Sequence, residues 1–170
     1  MRSSDKAKFS AVNLSVQEDE HSLEMHLPYA KLIGSDNCTI VPIMVGEIND
    51  KTAQAYAEVL QPYFNQPNTV FLVSSDFCHW GKRFDYTYYK KEDGQIFQSI
   101  AKLDQRAMDI IQSQDGQGFD KYLQETDNTI CGRNPIKLLL RVSILVIVSF
   151  FSSIPEPTRD SLSDILNPAR

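Results

Sequence analysis

Residues Cys38–Ser75 read CTIVPIMVGEINDKTAQAYAEVLQPYFNQPNTVFLVSS, and how this stretch is read decides the fold. Cys38–Gly46 (CTIVPIMVG) is a short apolar run bounded by turn residues, the pattern of a buried strand. Asn49–Phe64 follows with the spacing of a helix, capped by Asn49 or Asp50, whose short side chains can accept from the open N–H groups of the first turn. Asn68–Ser75 (NTVFLVSS) is again apolar and rich in β-formers, so a second strand. Strand, helix, strand over about thirty residues is a βαβ unit. Such units pair parallel strands through a right-handed crossover. The expected class is therefore α/β.

Downstream, Gly94–Ser113 places Ile96, Ile100, Leu103, Ala107, Ile110 and Ile111 at three- and four-residue steps. This is the clearest amphipathic helix of the chain. Asp115–Thr126 predicts a shorter helix. Asn128–Leu140 begins as a loop and turns helical near Asn134, with Pro135 at the favoured first position. Upstream, Glu18–Gly34 (EDEHSLEMHLPYAKLIG) predicts a helix starting near Asp19 or Ser22 and stopping at Gly34. Pro28 should bend it or mark its true start. The uncharged run Val142–Phe151 is half the roughly 20 residues that a membrane span needs, so a buried helix or strand is expected there. The tail beyond it is poorly specified.

The chain has 170 residues, a formal net charge of -5 and 42% hydrophobic content. That is the composition of one globular domain. An acidic balance argues against nucleic acid or an anionic membrane as partner, since both attract basic surfaces. Cys38, Cys78 and Cys131 lie far apart with no CxxC pair, which signals neither a zinc site nor a disulfide framework. A reducing compartment, cytoplasmic or nuclear, is expected.

The strongest chemistry follows the second strand. Ser74–Gly81 (SSDFCHWG) holds an acid, a thiol, an imidazole and the only tryptophan. Ligands of open α/β sheets bind in loops beyond strand ends. His79 could act as a base near neutral pH, with Asp76 orienting it. In an extended backbone the two would face opposite ways, so they share a site only if the chain curls. The competing reading has Asp76 and the serines satisfying backbone groups while Cys78 and Trp80 pack. Cys131 precedes a helix N-terminus and Arg133, and both favour a thiolate. The commoner fate of such a cysteine is burial as a small apolar residue. His21 and His26 would lie ~140° apart on a helix and do not make an i,i+4 metal pair. Arg83, Tyr86, Tyr88 and Tyr89 make either a recognition surface or a packed edge.

Three segments go further. EDEHSLEMHLPY (18–29), VSSDFCHWGKRFDYTYY (73–89) and NTICGRNPI (128–136), with SIAKLDQRAMDII (99–111) between them, resemble the Memo family from about Gln17 to Ile136. The resemblance implies a fold like the class III extradiol dioxygenases, a central β-sheet flanked by helices. Here that sheet would be partial and the domain incomplete. Residues 1–140 would form a partial Memo-like domain, and 141–170 a non-family apolar run and tail. The related dioxygenases bind non-haem iron through two histidines and a glutamate. In Memo proteins a cysteine resembles that glutamate, and Cys131 matches it. His79 matches the histidine in the dioxygenases' acid/base place, and Asp76 lies in the same motif. The family's two metal-binding histidines belong to a stretch ahead of EDEHS that is absent from this sequence. The resemblance thus implies a signalling and interaction protein with a protein or phosphopeptide partner and a remnant metal pocket. Iron or copper would not be held stably by this chain alone. A metal-dependent oxidoreductase completed by the missing half is the alternative, and a non-functional gene fragment the third. Enzyme activity stays open, with none the expectation for this chain by itself.

Overall fold

The computed structural model describes residues 7–34 and 38–142, so the tail and all but the first residue of the Val142–Phe151 run lie outside the described residues. The elements are α1 (Leu14–Asp19), α2 (His21–Glu24), α3 (Leu27–Ile33), α4 (Asp50–Phe64), α5 (Ile96–Gln112), α6 (Gly116–Thr126) and α7 (Arg133–Val142). Single 3-10 turns occur at Lys82–Phe84 and Lys91–Asp93.

The helical readings hold in most places. Asn49 caps α4 through a capping box, its side chain accepting from Thr52 N–H while the Thr52 hydroxyl accepts from Asn49 N–H. On α5 the predicted face is buried at Leu103, Ala107 and Ile111, whereas Ile96 remains 39% exposed. Asp115 caps α6 by accepting from Gly118 N–H. α7 starts at Arg133, one residue earlier than expected. The upstream helix is divided into α2 and α3, and α1 lies ahead of its expected start. Pro28 sits in the first turn of α3, where its missing N–H costs nothing, so it marks a start and not a bend. Gly34 closes α3 as read, its N–H donating to Ala30 C=O.

The α/β expectation, a partial central β-sheet in an incomplete dioxygenase-like domain, is overturned. Among the described residues there is no strand and one isolated bridge, between Gly81 and Tyr86. Residues 38–48 and 69–75 share no backbone hydrogen bond. The second run does alternate, with Phe71 and Val73 packed inward while Val70 and Leu72 stay 89% and 66% exposed. The second run thus lies on the helices with one side, whereas the first, expected to be buried, packs only Val45 and leaves Ile40, Val41, Ile43 and Met44 exposed. A ladder needs two strands about 4.8 Å apart. Pro42, in the middle of the first run, removes a ladder donor and is foreign to a central strand.

The core is organised around α7. Ile136 and Leu140, one turn apart, join Tyr86, Leu103, Ala107, Ile111, Phe119, Tyr122 and Ile130 in one cluster. Leu138 and Val142, on the opposite side, join Ala57 and Leu60 of α4 in a second. Each buried Leu, Ile, Val or Phe among them contributes about 1.5–3 kcal/mol. Charges reinforce the sandwich: Arg141 pairs with Asp50 of α4 and Asp120 of α6, and Lys137 lies 3.0 Å from Asp120. No helix among the described residues is long and apolar enough to cross a membrane.

Candidate functional site

The segment Ser74–Trp80 runs antiparallel to Thr129–Gly132, but side chains supply much of the pairing. Gly132 N–H donates to Ser75 Oγ at 3.0 Å, Cys131 N–H to Asp76 C=O at 3.2 Å, and Asp76 N–H to Cys131 Sγ at 3.1 Å. At the other end the Thr129 hydroxyl accepts His79 N–H at 2.7 Å and reaches His79 C=O at 2.9 Å. The approach is close enough to demand glycine at 132. A Cβ there would fall 2.7 Å from the Ser74 carbonyl oxygen and closer still to the Ser75 side chain.

Three residues singled out in the sequence meet at this junction. Asp76 and His79 do approach each other, because the chain turns. Asp76 Oδ2 lies 3.8 Å from His79 Nε2, with the carboxylate side chain 74% exposed and the imidazole 31%. That separation suits an ion pair when the ring is protonated and exceeds hydrogen-bond length. His79 Nδ1 lies 2.9 Å from the Thr129 carbonyl oxygen. Cys131 is exposed, not buried as a small apolar residue. Cys78 and Trp80 pack against the larger cluster as expected. Burial, with the Asp104 charge second, pushes the Cys78 thiol up to about 11.

Sequence reasoning missed the residues that hold the junction in place. From α5, the Asp104 carboxylate accepts Cys78 N–H at 3.2 Å and Asn128 Nδ2–H at 3.0 Å. Asn128 also donates to the Tyr122 hydroxyl at 2.7 Å, and that hydroxyl donates to Leu103 C=O at 3.1 Å. Burial raises the Asp104 carboxyl above its ordinary value despite these bonds, and raises Tyr122 to about 12. A carboxylate on an otherwise apolar helix face, at Asp104, was the one available signal.

His79 and Asp76 are flanked by an aromatic and cationic edge. The Phe84 ring lies 5.2 Å from the His79 ring, and the Arg83 guanidinium 5.8 Å from the Phe84 centroid. Gly81, at φ 127°, permits the turn that brings Phe84 back. Tyr86 is buried, while Tyr88 and Tyr89 stay partly exposed. Two cavities, of about 330 and 540 Å³, lie elsewhere, one beside Asp120 and Lys137 and one beside Phe9 and Tyr56. His79, Asp76 and Cys131 line neither of the two.

Iron of the dioxygenase type requires two imidazoles and an anion on one face. The junction offers one thiol, one imidazole and one carboxylate. Among the described residues no group of three or more His, Cys, Asp and Glu side chains is placed to hold a metal ion. His21 lies beside Glu20 at 3.3 Å. The residues present do not make up the set.

The family model described as Memo-like protein matches residues 2–148. Protein MEMO1 of Xenopus laevis is 47% identical over 138 residues, 79% of this chain and 46% of its own length. Protein MEMO1 of Homo sapiens is 47% identical over 135 residues, 78% of this chain and 46% of its own. The memo-1 homolog of Caenorhabditis elegans is 39% identical over 137 residues. The chain thus spans about half the length of the curated relatives it matches. With the motifs at 18–29, 73–89 and 128–136 all inside the matched region, this chain belongs to the Memo family.

Proposed function

We propose that this chain is a signalling and interaction protein of the cell-motility type, and that the surface around His79 receives a protein or phosphopeptide partner. The observation that carries the reading is the edge formed by exposed Arg83 and Phe84 beside half-buried His79. Arginine and aromatic side chains dominate binding hot spots, and a guanidinium is suited to bidentate contact with phosphate. His79 adds a second cation when protonated. The same reading sets the protein in the cytoplasm or nucleus, where thiols stay reduced.

The test is fluorescence anisotropy with a labelled tyrosine peptide from the cytoplasmic tail of a receptor tyrosine kinase, with and without phosphate. The phosphorylated form should bind at least tenfold tighter, and Arg83→Ala should remove the preference. Equal affinity for both peptides, or none for either, would sink the proposal.

A second reading, an iron- or copper-dependent oxidoreductase, draws on the meeting of Cys131, Asp76 and His79. It needs further imidazoles from another chain or a longer product. Stoichiometric binding of iron(II) or copper(I), lost in the Cys131→Ala/His79→Ala double variant, would favour it over the first.

A further inference from the structure

We propose that the Thr129 hydroxyl is a positioning group that holds neutral His79 in its Nδ1–H tautomer, leaving Nε2 as the nitrogen that gains a proton toward the ligand. The inference rests on reading the His79 surface as the binding site.

A neutral imidazole has one N–H to place, and two acceptors compete for it. The Thr129 carbonyl oxygen lies 2.9 Å from Nδ1, and Asp76 Oδ2 lies 3.8 Å from Nε2. Only the first is within hydrogen-bond length, and a carbonyl can only accept, so the proton sits on Nδ1. In such rings the partner of one nitrogen decides the state of the other.

The Nδ1 bond needs the backbones of 79 and 129 in one register. The Thr129 hydroxyl sets it, accepting His79 N–H at 2.7 Å and donating to His79 C=O at 2.9 Å. One side chain thus does what a pair of ladder bonds would do in a sheet. Beside this pair, Asp104 of α5 holds Cys78 N–H and Asn128 Nδ2–H to the same carboxylate. The two segments are thus tied both directly through Thr129 and through the Asp104 carboxylate of α5, while the side chain of Asp76, three residues before His79, remains exposed.

A binding consequence follows for an anionic ligand. With Nδ1 already protonated and engaged, the proton that turns the ring into a cation must arrive at Nε2, on the side of the exposed Asp76 carboxylate. A phosphate seated against Arg83 would then draw that proton and accept from Nε2–H.

The experiment is imidazole ¹⁵N NMR on the full chain at a pH above the histidine titration. The chain has three histidines, and His79→Gln assigns the resonance that matters. Wild type should show a pyrrole-like Nδ1 and a pyridine-like Nε2. Thr129→Ser, which keeps the hydroxyl, should match it. Thr129→Val, nearly isosteric without the hydroxyl, should move more than half of the population to the Nε2–H form. A wild-type Nε2–H tautomer overturns the proposal, as does a folded Thr129→Val that keeps Nδ1–H. If Thr129→Val fails to fold, loss of the Nδ1–H form in Thr129→Ser overturns it and retention supports it. Because the spectra involve no peptide, a failed phosphopeptide titration alongside the expected spectra counts against the binding reading alone.

Discussion

Replacing Gly132 by alanine tests the junction with one methyl group. The added Cβ would sit 2.7 Å from the Ser74 carbonyl oxygen, against backbone that cannot rotate away, and against Ser75. Relief requires 131–132 to withdraw from 74–76. That movement loses Gly132 N–H to Ser75 Oγ, Cys131 N–H to Asp76 C=O, and Asp76 N–H to Cys131 Sγ. Bonds of this kind contribute about 0.5–1.5 kcal/mol each, the thiol acceptor at the low end, for a total of about 2–3 kcal/mol. Overpacking costs of about 1–3 kcal/mol agree. With a urea slope near 2 kcal/mol/M, the unfolding midpoint should fall by roughly 1–1.5 M. Trp80, the chain's only tryptophan, reports from within the same segment, its Nε1–H bonded to Tyr88 C=O. Gly46→Ala is the control, since a Cβ there meets nothing within 4 Å. It should move the midpoint by less than about 0.5 kcal/mol equivalent. A Gly132→Ala midpoint as close to wild type as the control's would refute the account of the junction.

Two further predictions concern the groups behind it. The Asp104 carboxyl is raised in the folded chain by burial, so folding favours its protonated form. Its contribution is therefore fully present below the unfolded aspartate value of about 3.9 and is lost as pH rises through the higher folded value. Measured by urea unfolding, the stability of wild type relative to Asp104→Asn should decline as pH is raised from about 4 to 7, and a difference flat with pH would contradict it. The Cys78 thiol, at about 11 against an ordinary 9.0, should alkylate about a hundredfold more slowly at pH 8 than a thiol at the ordinary value. Peptide mapping after timed iodoacetamide should find exposed Cys38 and Cys131 labelled first, and early labelling of Cys78 would show that its environment is open.

What the sequence made legible was local. Asn49 before α4, the three- and four-residue spacing on α5 and Pro28 at the start of α3 act through their own neighbours, so they could be read one window at a time. The sheet was misread because an apolar run records burial, not pairing. The second run buries Phe71 and Val73 against helices with no strand beside it, and Pro42 was the overlooked counter-signal. The site was half legible. The motif around Asp76 and His79 and the loop at Cys131 could be named, but their meeting depends on Thr129 and Asp104, which lie 50 and 25 residues from His79 along the chain. Nothing in local spacing encodes a contact of that separation.

The two-sided burial of α7 bears on the order in which the molecule can acquire shape. α4, α5 and α6 all leave the ribosome before Arg133, yet the two clusters that their apolar faces join also include side chains between Ile136 and Val142. During synthesis, at some 5–20 residues per second, the α4 face waits several seconds for Leu138 and Val142. Among the described helices α7 is the last to emerge, and it joins both clusters. Hydrogen exchange on the finished protein should accordingly find the amides of α4 and α5 opening together, as one unit that α7 holds shut.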